Sequence, residues 1–66
     1  MSKATLIYLL NDIDTALFLL RDVLSDWKKN PGFIRTHAEY YIELMYMINY
    51  AGILHGSFKY VTDSFS

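Results

Sequence analysis

Few side chains in this chain have the type and spacing that catalysis requires. His37 and His55 are the only histidines. They stand too far apart to hold one metal from a single helix face, and neither belongs to a Glu-x-x-His or His-Glu-x-x-His pattern. The chain has no cysteine, which excludes a thiol nucleophile, a thiolate zinc site and a disulfide. Ser2, Ser25, Ser57, Ser64 and Ser66 lie outside any nucleophile-elbow pattern. Asp22 and Asp26 share a helix face, as do Glu39 and Glu43, a spacing that suits metal binding or acid–base work. A solvated acidic face is the simpler account of both pairs. Asp12 and Asp14 diverge on a helix. No catalytic residue, metal or cofactor is expected, and the chain reads as a non-enzyme.

Binding chemistry has more to stand on. Lys28, Lys29 and Arg35 bracket Pro31-Gly32, and His37 follows. The start of a second helix at the same place would add free amides and a positive dipole, which together suit an anion. Trp27 and Phe33 stand beside these cations and have rings that can stack on a base. The plainer reading is that the lysines complement the C-terminal dipole of a preceding helix and keep a turn soluble. The six tyrosines pose a similar choice between an interface and the wall of a ligand cleft. His55 reads as an interface histidine bonded to Asp12 or to a backbone carbonyl.

These residues sit on two helices. Leu6, Leu10, Ile13, Leu17, Leu20, Leu24 and Trp27 fall at alternating steps of four and three, the seam of a helix packed lengthwise on another. Leu9, Ala16 and Val23 widen it. Ser2 is the expected N-cap, with Thr5 competing. Lys28-Lys29-Asn30-Pro31-Gly32 stops the helix and opens a connector of about five to seven residues. Thr36 to Glu39 has the form of a capping box. A second seam follows: Tyr40, Leu44, Met47, Ala51, Leu54, Phe58 and Val61. It continues past Gly56, so the glycine is read as interior and the residues from Thr62 to Ser66 as frayed.

The fold class is therefore all-α: one domain spanning 1–66, an antiparallel two-helix hairpin of about 3–29 and 37–61. With the turn centred near Gly32, positions whose numbers sum to about 64 lie side by side. That register pairs Arg21 with Glu43 and Trp27 with His37, and places His55 near Leu9 and Asp12.

A hairpin of 66 residues is short of core. A core of this size rarely supplies more than about 3–5 kcal/mol. Without cysteine, oligomerisation is the common remaining staple. Hydrophobic residues make up 53% of the chain and aromatics 17%, more than one stripe per helix uses. The surplus on the second helix includes Tyr46, Tyr50, Ile53 and Tyr60, and on the first Phe18 and Leu19 form an exposed apolar patch. Gly52 and Gly56 form a small-xxx-small spacing that permits close helix contact. The expectation is a homodimeric four-helix bundle, with higher oligomers as the variant, using Tyr46, Tyr50, Gly52, Ile53, Gly56 and Tyr60.

A net charge of −1 argues against nucleic acid and against a basic membrane-surface helix. The apolar run Leu6 to Leu10 has one cation before it and Asn11-Asp12 after it, which is not a secretory signal. Tyr40 to Leu54 is too short for a span and carries Glu43 and Asn49. A cytoplasmic location is expected. The function expected is a small protein-binding module of the phage or mobile-element type, inhibiting or regulating another protein through its aromatic helical surface. The alternative is an oligomer that sequesters or senses an anionic, nucleotide-like small molecule.

Overall fold

The computed structural model describes residues 2–65. Three helices follow in order: α1 (Lys3–Lys28), α2 (Pro31–Thr36) and α3 (Ala38–Ser64). The described chain is all-helical, and α1 and α3 pack along their lengths as the two arms of a hairpin. The molecule is a rod of 48 × 15 × 14 Å, its long axis close to the ~40 Å of a 27-residue helix.

Local chemistry explains each boundary. Ser2 is the N-cap of α1, as its type predicts; its hydroxyl oxygen accepts from the Thr5 amide at 3.2 Å. Lys28 lies in the last turn of α1, where a cation complements the dipole. The connector is where expectation and structure differ. Asn30-Pro31-Gly32 ends α1 and also starts α2. Asn30 is the N-cap, its side-chain oxygen accepting from the Phe33 amide at 3.2 Å, and Pro31 occupies the first turn, where its missing N–H costs nothing.

The capping box at Thr36 is not formed. Thr36 belongs to α2, and its hydroxyl donates to the Gly32 carbonyl at 2.9 Å. His37 is the N-cap of α3, without a side-chain cap. The cause is α2 itself: with Thr36 in a helical turn, its hydroxyl reaches back to its own helix and not forward to α3. Nor does the chain fray at Thr62. α3 continues to Ser64, and Thr62 is buried with its hydroxyl donating to Phe58 O at 2.8 Å. Ser66 lies outside the described residues.

The seam of α1 is as expected: Leu6 and Leu17 are buried and the other five members are half-buried. The seam of α3 is rotated. The residues turned toward α1 are Tyr41, Leu44, Ile48, Ala51, Phe58 and Thr62, with His55 between them, while Tyr40, Met47 and Val61 are exposed. The register is shifted as well. His55 Nε2 meets Asp14 Oδ1 at 2.8 Å, a pair displaced about one turn from the expected register. No Arg21–Glu43 ion pair exists among the described residues. Inserting α2 lengthens the connector, and this moves the partners of every α1 residue further along α3.

Candidate functional site

Two features carry binding chemistry. The first is the turn end of the rod. Trp27 does not meet His37; Phe33, projected by α2, lies between them. The Trp27 and Phe33 rings are 5.2 Å apart and tilted, Phe33 stacks on His37 at 4.2 Å, and His37 stacks on Tyr40 at 5.8 Å. His37 Nδ1 is 3.1 Å from the Phe33 carbonyl. A carbonyl only accepts, so Nδ1 carries a hydrogen and Nε2 is the ring nitrogen left for a further partner. Six residues at a bend thus become a ladder of four rings, locked by one side-chain bond to the backbone.

The cations beside this ladder do not converge. Arg35 lines an open depression of about 500 Å³ together with His37, Glu39 and Tyr40. Lys28 and Lys29 line a separate one of about 410 Å³ on α1, with Arg21, Leu24 and Ser25. Lys29 Nζ is 4.0 Å from Asp26 Oδ1 at the surface, and Glu39 places a carboxylate in the first turn of α3. The set Trp27, Lys28, Lys29, Phe33, Arg35 and His37 is therefore divided: the rings form one cluster, and Arg35 lines one depression while Lys28 and Lys29 line another.

The second feature is the side of α3 turned away from α1. Tyr46 and Tyr60 expose 73% and 76% of their surface, and Tyr50 and Ile53 are exposed beside them. Ile42, Tyr46, Met47 and Tyr50 border shallow depressions of about 310 and 360 Å³, the first of which Glu43 also lines. Gly52 does not stand with Tyr46 and Tyr50, whereas Gly56, three positions after Ile53 and four before Tyr60, shares their face. Gly52 follows Tyr50 by two positions and faces nearly the opposite way on a helix. A Cβ built at Gly52 or Gly56 meets nothing within 4 Å, so no neighbour inside the chain requires glycine there. Phe18 and Leu19 are exposed on α1, nearly at right angles to one another around the helix.

Among the described residues, no group of three or more His, Asp or Glu side chains is placed to hold a metal ion, and no helix is long and apolar enough to cross a membrane. No family model, no curated protein and no solved structure matches the chain.

Two elements of the site escaped sequence reasoning. One is α2, whose signal was present: Asn directly before Pro is a helix start as much as a helix stop. The other is the Asp14–His55 contact, which depends on a register that periodicity alone does not supply.

Proposed function

We propose that this chain is a small non-enzymatic protein-binding module that docks through the aromatic outer face of α3 and inhibits or regulates the protein it meets. The observation that carries this reading is the apolar surplus of α3. A helix that is hydrophobic all round is normally buried all round, and α1 covers only one side of this one. Tyrosine and methionine supply large contact area at low entropic cost, as interface hot spots do. The same surplus supports self-association into a homodimeric four-helix bundle in a cytoplasmic setting. The chain exposes 5059 Å², against about 4,300 Å² for a compact monomer of this size.

A photo-crosslinking residue at Tyr46, compared with one at the acidic-face Asp22, tests this in cells that make the protein. The expected result is one defined heterologous adduct at position 46 and none at position 22. Adducts at neither position, or equally at both, overturn the reading.

The second reading, an anionic ring-bearing ligand, draws on the ring ladder and Arg35. Phe33 and His37 already use their faces on one another and on Trp27 and Tyr40, which leaves little free ring for a base. Native mass spectrometry of gently purified protein distinguishes the two, since a retained ligand adds a few hundred daltons, on the order of a nucleotide, to a low-nanomolar-to-micromolar complex.

A further inference from the structure

The exposed residues of α3 hold a second seam. Ile42, Tyr46, Asn49, Ile53, Gly56 and Tyr60 follow one another at alternating steps of four and three, and all six are exposed. That spacing is the line along which one helix lies lengthwise on another, and here it runs on the side of α3 turned away from α1. None of the six is charged. Glu39 and Asp63 continue the line at its two ends, and Glu43 flanks it beside Tyr46. The line at the same spacing on the outer side of α1 is Tyr8, Asp12, Thr15, Leu19, Asp22 and Asp26, in which three of six positions are acids that belong in water. Of the two outer lines of the rod, only that of α3 has the character of a packed seam.

We infer that this outer seam pairs antiparallel with the same seam of a second copy, so that four helices lie in one layer with the two α3 helices at its centre. This rests on the self-association proposed above and replaces the bundle with a back-to-back arrangement. A two-fold interface must complement itself, and α3 does so in one register. Two antiparallel copies of Ala38–Ser64 overlap along their whole length only when they are centred on Ala51. Positions equidistant from Ala51 then meet. Tyr46 lies over Gly56 of the copy, so a ring of the seam meets the one member that has no side chain, and by symmetry this happens twice. Tyr60 lies over Ile42. Nothing inside the chain explains Gly56, since a Cβ there meets no atom within 4 Å and glycine in a helix interior costs about 0.5–1 kcal/mol against alanine; a ring packed from outside gives it a role. Parallel pairing would set Tyr46 on Tyr46 and leave two glycines facing across a gap. The costs of the antiparallel register are confined. Asn49 meets Ile53, with the copy's Asn49 about one turn away as a hydrogen-bond partner, and Glu39 meets Asp63 only at the open ends, where water and salt screen the repulsion. The size fits a modest dimer: about 40 Å of helix on a rod 15 Å wide offers about 600 Å² per copy, at the lower edge of the ~600–1,000 Å² per partner of standard interfaces. In the dimer this face is covered, so a different protein reaches it by displacing the copy.

The chain has no cysteine, so single cysteines report the pairing directly. The Tyr46→Cys and Gly56→Cys proteins, one of them carrying a mass tag, are mixed and mildly oxidised. The expected product is the mixed disulfide dimer, in at least about tenfold excess over either same-site dimer. In the antiparallel register two copies of position 46 lie about 15 Å apart along the axis, as do two copies of position 56, whereas a disulfide spans at most ~7 Å between Cα atoms. Same-site dimers in equal or greater yield overturn the antiparallel register. The dissociation constant of the unaltered chain is then measured by sedimentation across a dilution series, beside two variants whose helical spectra are checked. Ile53→Glu should weaken the dimer by at least about thirtyfold, and Leu19→Glu on the outer line of α1 should leave it within about threefold. A dimer indifferent to Ile53→Glu overturns the face. A monomer at every concentration overturns both the pairing and the self-association it rests on. Docking of a different protein at Tyr46 is read separately, by the photo-crosslinked adduct, and stands or falls apart from either result.

Discussion

At the scale of single residues, the connector is governed by which polar side chain reaches which backbone group. Asn30 Oδ1 caps α2, and removing a cap of this type costs roughly 1 kcal/mol. Thr36 caps nothing ahead of it, because its hydroxyl bonds within α2. Asn30→Ala should therefore destabilise the chain by about 1 kcal/mol, while Thr36→Ala should stay within about 0.5 kcal/mol. Urea midpoints of the two variants decide this; a larger loss at Thr36 would restore the capping box. Gly52 and Gly56 make the opposite prediction. With open space around each Cβ position, alanine at either should raise helix stability by about 0.5–1 kcal/mol. A fall in the denaturation midpoint would mean that a partner backbone approaches there. Asp14 and His55 form a partly exposed contact, so its contribution to stability is small.

At the scale of elements, α1 and α3 differ in kind. α1 has one regular apolar seam, with Tyr8, Phe18 and Leu19 exposed outside it, and that seam specified its packing. α3 is apolar on most sides, and its strongest heptad pattern was not the one α1 covers. The pattern through Tyr40, Met47 and Val61 is as regular as the one through Tyr41, Ile48 and Thr62, and counting apolar residues favours the former because Thr62 is polar. Packing selects the latter. The buried centre of the hairpin is nevertheless small: Leu6 and Leu44 are 3% exposed, and few others are fully enclosed. Leu44→Ala should cost about 2–5 kcal/mol by loss of burial and the cavity left behind. In a domain of this size that abolishes cooperative melting, which thermal circular dichroism would show directly. The same truncation at exposed Tyr46 should leave melting of the monomer nearly unchanged.

At the scale of the whole molecule, two long helices joined by a short one form a rod, and a rod has a high ratio of surface to interior. This geometry ties stability to concentration. If a second copy covers part of the exposed apolar surface, the melting temperature should rise with protein concentration, because association stabilises the folded state by mass action. A melting temperature independent of concentration over a hundredfold range would place the staple elsewhere.

The sequence by itself determined the helical class, both long helices to within a few residues, the Ser2 cap, the complete seam of α1 and the presence of more apolar surface than one hairpin hides. These follow from period, cap chemistry and composition, which are local or additive properties. Only the tertiary structure decided that Asp14 meets His55 and that α3 presents Tyr41 and Ile48 to α1 in place of Tyr40 and Met47. Each of these is a choice between arrangements that are equivalent within a single element. The competing helix breaks the tie, because a helix with apolar residues on most sides is oriented by its neighbour and not by its own pattern.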